Sequence, residues 1–128
     1  MRIVLVDDSN DFRELMVEFL EEVGYTITGF NEPPTRTLSA DLFLVDWNIK
    51  DQTSDQFITQ LRKDNPSTLI WVLTGNILMP ELKIQMRKIG ADGIINKPVD
   101  PDDLLTLLDI VERGQDWKES KLVHPLSA

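Results

Sequence analysis

A short apolar run without alternation recurs along this chain, and each time it closes on a side chain able to do chemistry. Ile3-Val4-Leu5-Val6 runs into Asp7-Asp8, and Leu42-Phe43-Leu44-Val45 into Asp46. Leu69-Ile70-Trp71-Val72-Leu73 runs into Thr74-Gly75, and the short pair Ile94-Ile95 leads to Lys97-Pro98. Unbroken β-branched and aliphatic runs of this length suit strands covered on both faces, which is the situation of a parallel sheet. Tyr25 to Phe30 alternates weakly and reads as an outer strand.

Helical signals fill the intervals. Phe12, Leu15, Met16, Phe19, Leu20 and Val23 are spaced as one face of an amphipathic helix, capped by Ser9 or Asn10 and closed by Gly24. Further helices are expected from about Ser54 to Asp64, from about Pro80 to Ile89, and from Asp100-Pro101 to about Arg113. Residues 31–40 hold Pro33-Pro34 and few apolar side chains, so one helical turn or a loop is expected there. The order is β-α repeated five times: a parallel five-stranded sheet with right-handed crossovers and helices on both faces. Residues 114–128 lose the periodicity and read as a tail or linker stump, leaving 1–113 as one domain.

Composition removes several function classes. Against 22 acidic residues stand 13 basic ones, a net charge of −9, which argues against direct binding of nucleic acid or of an anionic membrane surface. There is no cysteine, so disulfide, thiolate-metal and thiol chemistry are excluded. The single histidine, His124, cannot build a multi-histidine metal site. No apolar run approaches the ~20 residues of a membrane span and no secretory signal is evident, so a cytoplasmic location is expected.

In open α/β sheets ligands bind at the carboxyl ends of the strands. The order of elements therefore brings Asp7, Asp8, Asp46, Thr74 and Lys97 toward one edge. Carboxylates gathered in this way repel one another unless a cation sits among them, and a hard divalent ion such as Mg²⁺ takes carboxylates together with water and phosphate oxygens. Lys97 and the Thr74 hydroxyl can hold the rest of a phosphoryl group. A carboxylate in such a site can act as a nucleophile and form an acyl phosphate. Taken alone, a strand-end Asp or Thr is a helix cap and a lone Lys a solvated charge; their convergence is what favours a site.

Val6-Asp7-Asp8, Asp46-Trp47-Asn48, Leu73-Thr74-Gly75, Gly90-Ala91-Asp92 and Lys97-Pro98, in this order and each at a strand end, resemble the receiver domain of the two-component response-regulator family over residues 1–113. The resemblance implies a three-layer flavodoxin-like fold with strand order 2-1-3-4-5. It implies Asp46 as phosphoacceptor from a histidine kinase or phosphotransfer protein. Asp8 would be a direct ligand of Mg²⁺ (or Mn²⁺), Asp7 would act largely through water, and Asp46 and the backbone carbonyl of Asn48 would complete the shell. Thr74 and Lys97 would bind phosphoryl oxygens, with Thr74 shifting as the group arrives and the Lys97-Pro98 bond cis. Asn48 and Asn76 would flank the phosphoryl group and influence its loss to water; as plain residues they are equally two loop asparagines.

The chain departs from the family pattern at several points. Ile94 stands at the switch position, three before the lysine, where the family usually has Tyr or Phe; Gly75 replaces a common Ala; Lys50 and Ser54 stand where the loop usually has Pro and Gly. The interval between the second and third strands is short, implying a stunted second helix. Trp47 is expected as an exposed or half-buried loop aromatic beside the metal site. The last helix carries Leu104, Leu105, Leu107, Leu108, Ile110 and Val111, more than one apolar stripe. Either it packs heavily on the sheet, or Ile94, Leu105 and Ile110 form a surface for a downstream protein or self-association. Two other functions remain in view. One is a phosphorylation-independent docking module. The other is an aspartate-nucleophile phosphatase, which the chain does not favour because Asn48 replaces the second acid such enzymes use. The protein is expected to act on its own phosphoryl group and to turn over no external substrate.

Overall fold

Strands form where the apolar runs predict them, and helices where the 3–4 spacing does. The computed structural model describes residues 1–126. In chain order the elements are β1 (Arg2–Val6), α1 (Asn10–Glu22), β2 (Thr26–Phe30), β3 (Leu42–Asp46), the two-residue strands β4 (Asn48–Ile49) and β5 (Gln52–Thr53), and α2 (Asp55–Asp64). There follow β6 (Leu69–Thr74), α3 (Pro80–Lys88), β7 (Gly93–Asn96), α4 (Pro101–Glu112), one 3₁₀ turn (Trp117–Glu119) and β8 (Val123–Pro125).

The central sheet runs β2-β1-β3-β6-β7-β8, and its first five strands are parallel. Counted among themselves, those five have the order 2-1-3-4-5 that the resemblance implies. Side chains alternate between two apolar layers, as the period of a strand requires. Ile3, Leu5, Leu42, Leu44, Trp71, Leu73 and Ile95 face α1 and α4, meeting Met16, Leu20, Leu104, Leu107 and Leu108. Val4, Val6, Phe43, Val45, Ile70, Val72 and Ile94 face α2 and α3, meeting Ile58, Leu61 and Met86. This is the three-layer α/β architecture, and it explains why β1, β3 and β6 read as unbroken apolar runs.

Helix ends follow local chemistry. The Ser9 hydroxyl accepts from Phe12 N at the start of α1, at 3.4 Å, and the Asp100 carboxylate accepts from Asp102 N at the start of α4, at 2.8 Å. Pro101 opens α4, where its missing N–H costs nothing.

Four expectations need correction. First, the stunted second helix implied by the resemblance does not form between β2 and β3, and of the two alternatives for residues 31–40 the loop is the one that holds. Residues 31–41 run as a loop whose Leu38 side chain is buried against the sheet and whose Leu38 carbonyl accepts from Asn65 Nδ2 at 3.1 Å. Pro33-Pro34 and the scarcity of apolar residues leave no stripe for a helix to bury. Second, the sheet has six strands, because β8 pairs antiparallel with β7 (Ile94 opposite His124, Ile95 opposite Val123). Of the segment read as a tail, residues 117–125 thus carry a 3₁₀ turn and a strand, while 127–128 lie outside the described residues.

Third, Ile94 is fully buried and contributes to no surface; Leu105 and Ile110 are half-buried. The excess apolar residues of α4 are explained by the same returning segment, since Trp117, Leu122 and Val123 pack in one cluster with Leu107, Leu108 and Val111. Fourth, Trp47 is buried at 2% exposure, in the layer beneath α2 and α3. Gly93 makes the approach of β8 possible: a Cβ there would lie 2.6 Å from Val123 Cγ1 and 3.2 Å from the Trp117 and Trp71 rings.

Candidate functional site

The three strand-end acids converge. Asp7 ends the run of β1, Asp8 follows it, and Asp46 is the last residue of the neighbouring strand β3. Each offers a carboxylate oxygen within 4.8 Å of the other two. Asp7 is completely buried, Asp46 nearly so, and Asp8 is exposed. The cluster is therefore a rim with two deep members and one at the mouth.

Asp7 is held from several sides. Its Oδ1 accepts from Ser9 N at 2.9 Å, and its Oδ2 accepts from Lys97 Nζ at 2.6 Å. Arg13 Nη1 donates to the Asp7 carbonyl at 2.7 Å. Lys97 reaches the cluster because β7 pairs with β6 up to Asn96 opposite Thr74, and Lys97 N then bonds the Thr74 carbonyl at 2.8 Å. The Lys97-Pro98 bond is cis, as the resemblance implied. The same ammonium stands 3.5 Å from Asp46 Oδ2 and 5.0 Å from the centroid of the Phe12 ring.

Asp46 is the electrostatically stressed member. Burial, then the neighbouring Asp7 carboxylate, push its carboxyl from 3.8 up to about 7; Asp8 adds to the rise, while Lys97 and the Asn48 N–H oppose it. A carboxyl raised in this way marks a site that lacks positive charge when only protein groups are counted. The donor set is three carboxylate oxygens, hard ligands suited to Mg²⁺ or Mn²⁺, so the residues fit such an ion.

Thr74 is fully buried at the end of β6, and its hydroxyl accepts from Asn76 N at 3.0 Å. Asn48 and Asn76 meet across the mouth: Asn48 Nδ2 lies 3.5 Å from Asn76 Oδ1, and Asn96 Nδ2 lies 3.5 Å from the Asn76 carbonyl. The loop after Asp46 is a tight hairpin, β4–β5, turning at Lys50 and Asp51 with φ of 50° and 65°. Lys50 N donates to Asp8 Oδ2 at 2.9 Å, and Lys50 Nζ pairs with Glu32 at 2.8 Å.

Asp7, Asp8, Asp46, Thr74 and Lys97 are thus gathered at one edge, with Asn48 and Asn76 at its mouth. Ile94 lies in the core beneath. Sequence reasoning missed four participants. Phe12 reads as an ordinary core residue of α1. Arg13 and the Lys50 backbone N–H carry no pattern of their own. Ser54, buried, donates its hydroxyl to the Asp46 carbonyl in place of capping α2 through its side chain.

The Response regulator receiver domain model matches residues 3–109. The chain belongs to the response regulator receiver family. Its curated relatives include the phosphoglycerate transport system transcriptional regulatory protein PgtA of Salmonella typhimurium, 30% identical over 112 residues and covering 84% of this chain and 27% of that protein. The phosphate regulon transcriptional regulatory protein PhoB of Escherichia coli is 28% identical over 123 residues, covering 88% of this chain and 52% of that protein. This chain therefore spans about a quarter of the first relative and about half of the second. Among solved structures, the chemotaxis protein CheY4 of Vibrio cholerae superposes with a TM-score of 0.75 at 26% identity, covering 86% of this chain and 97% of that one. A response regulator protein of Burkholderia multivorans gives a TM-score of 0.72 at 30% identity, covering 87% and 94%. Receiver domains are signalling modules of two-component systems that interact with histidine kinases and downstream effectors. Among the described residues of this receiver, no helix is long and apolar enough to cross a membrane.

Proposed function

We propose that this receiver accepts a phosphoryl group on Asp46. The observation that carries the reading is the convergence on Asp46 of two further carboxylates, within 4.8 Å, and of one ammonium, at 3.5 Å. An Asp46 carboxylate oxygen attacks phosphorus, the P–N bond of a kinase phosphohistidine breaks, and an acyl phosphate forms. Lys97 supplies an ammonium for one phosphoryl oxygen and Thr74 a hydroxyl for another, each a charge-assisted contact. Mg²⁺ or Mn²⁺, held by Asp7, Asp8, Asp46 and the Asn48 carbonyl, would supply the positive charge that offsets the crowded anions. Asn48 and Asn76, whose side chains approach to 3.5 Å, would flank the phosphoryl group and bear on how water reaches it.

Residues 1–113 are the phosphoaccepting unit in this reading, with 117–126 packed on it as an edge strap. The protein turns over no external substrate and signals by contact, inside the cell, with a histidine kinase or phosphotransfer protein on one side and a downstream protein on the other. Mass measurement after exposure to a small-molecule phosphodonor tests the core of this. Wild type should gain one phosphoryl group with Mg²⁺ and none with chelator, and Asp46→Ala should gain none in either condition. No gain by wild type alongside a control receiver that is modified would favour a docking module that works without phosphorylation.

A further inference from the structure

Lys97 carries the one ammonium within salt-bridge reach of the acid cluster among the described residues, and it rests unevenly there. It lies against Asp7 at 2.6 Å, stands off Asp46 at 3.5 Å, and has the Phe12 ring centroid 5.0 Å away. A flexible four-carbon stem does not choose one carboxylate over another unaided. Asp7 and Asp46 are adjacent strand ends, both buried, and both attract the ammonium.

Phe12 supplies a reason for the choice. It sits in the first turn of α1, half-buried, packed against the apolar layer that contains Met16 and Leu104. Packing fixes the ring, and the ring face attracts an ammonium within about 6 Å. Its place in the apolar spacing of α1 accounts for the side of the ring turned to the core. It does not account for an aromatic residue over the lysine, since an aliphatic side chain fills a half-buried helix position as well.

We propose that Phe12 is a positioning residue: it parks the Lys97 ammonium on Asp7, so that the lysine serves as a built-in counter-ion which an incoming divalent cation must displace. The proposal rests on the reading of the acid cluster as a Mg²⁺ site. While Lys97 occupies Asp7 Oδ2, that oxygen is spoken for, and part of the charge a cation would neutralise is already neutralised. Whatever holds the lysine in place lowers the affinity for the ion. The same displacement frees the ammonium to move toward a phosphoryl oxygen on Asp46, tying the lysine's release to the loading of the site.

The test is calorimetric titration of the full chain with MgCl₂, on protein free of phosphodonor. Phe12→Leu and Phe12→Met remove the ring and keep most of the volume; Phe12→Tyr keeps the ring. The first two should bind Mg²⁺ more tightly by about two- to five-fold, the span that a cation–π contact of this kind corresponds to. Phe12→Tyr should match wild type. In a Lys97→Met background the Phe12→Leu change should leave affinity where Lys97→Met alone puts it, a result that general loosening of α1 does not produce. Thermal melts of each variant identify any that is unfolded and leave the other ring-less variant to decide. Unchanged or weaker binding in the ring-less variants, or an equal effect with and without Lys97, overturns the latch while the metal site stands. Absence of Mg²⁺ binding by wild type overturns both.

Discussion

Asp46 and Asp7 share one ammonium unequally: Lys97 Nζ lies 2.6 Å from Asp7 Oδ2 but 3.5 Å from Asp46 Oδ2. Asp7 is fully buried and takes the closer contact, while Asp46 is left with burial and a like charge beside it. The carboxylate proposed as the nucleophile is thus one whose anionic form is opposed by burial and by a neighbouring like charge. In the proposed reading, a divalent cation would supply the second positive charge that three clustered carboxylates call for.

That inequality makes stability depend on pH. Asp46 titrates near 7 in the folded chain against 3.8 as its ordinary value, so the folded state binds more protons between those two pH values. Its contribution is full below about pH 4 and is lost as the pH rises through about 7. Without divalent cation, wild type should lose on the order of a few kcal/mol across that window, since each tenfold change in proton affinity is worth about 1.4 kcal/mol. Asp46→Asn should flatten this slope and should be the more stable protein at pH 8. Urea unfolding at a series of pH values checks both; an Asp46→Asn protein less stable than wild type at pH 8 would contradict the crowded-acid account.

Metal should reverse the same cost. An ion that binds the native acid cluster and not the unfolded chain stabilises by ~2.7 kcal/mol at a hundred times its dissociation constant. MgCl₂ should therefore raise the melting temperature at pH 7.5, and the gain should shrink at pH 5, where Asp46 holds its proton. Asp8→Asn removes the exposed member of the cluster and should cut the Mg²⁺-dependent gain with little effect on metal-free stability. An Asp8→Asn protein with the wild-type response would remove Asp8 from the ligand set.

How much of this is readable in the sequence follows from where the information lies. Strand ends are legible because β1, β3 and β6 are buried on both faces, and a two-faced strand leaves an unbroken apolar run. Asp7, Asp46, Thr74 and Lys97 follow from those ends and from parallel order. The strap is not legible, because its hold on the sheet is made of isolated anchors. Trp117 meets Trp71 at a ring separation of 5.3 Å, Val123 seats over Gly93, and Leu126 N bonds the Asp92 carbonyl at 3.0 Å. None of these anchors repeats with a period. The rich apolar content of α4 is the trace the strap leaves, and it points equally to an outside partner. Asp92 reads in the sequence as part of a family pattern. Its carboxylate in fact ties Arg62 Nη2 at 2.6 Å and Ile70 N at 2.9 Å, a structural task at the opposite end of the strands from the acid cluster.

The strap gives a prediction of its own. Gly93→Ala places a methyl 2.6 Å from Val123 Cγ1, nearer than packed carbon atoms sit, with ring atoms of Trp117 and Trp71 also close. Overpacking of this kind costs about 1–3 kcal/mol, and the strap is the neighbour that can yield. The variant should melt lower than wild type, shift Trp117 emission, and lose amide-exchange protection at Leu126 and across the β7–β8 pairing. Mg²⁺ affinity should be preserved, because the acid cluster lies at the far end of β7. Wild-type protection at Leu126 in this variant would mean that the strap does not depend on the missing side chain.

The hairpin after Asp46 stores strain that can be relieved. Lys50 and Asp51 both adopt left-handed backbone, at φ of 50° and 65°, between strands only two residues long. That two-residue geometry favours Asn-Gly, and a side chain such as lysine is disfavoured there. The conformation is held from outside by Asp8, which accepts from Lys50 N at 2.9 Å, and by Glu32, which pairs with Lys50 Nζ at 2.8 Å. The exposed pair contributes little, of the order of 0–1 kcal/mol. Asp51→Gly should therefore stabilise the protein by about 0.5–1 kcal/mol, partly offset by the greater freedom of the unfolded chain. Lys50→Asn with Asp51→Gly should add to the gain even though it removes the Glu32 contact, and it leaves the Lys50 backbone N–H available to Asp8. Chemical denaturation of the single and double variants reads the effect directly. A double variant less stable than wild type would show that the Glu32–Lys50 pair outweighs the backbone strain it opposes.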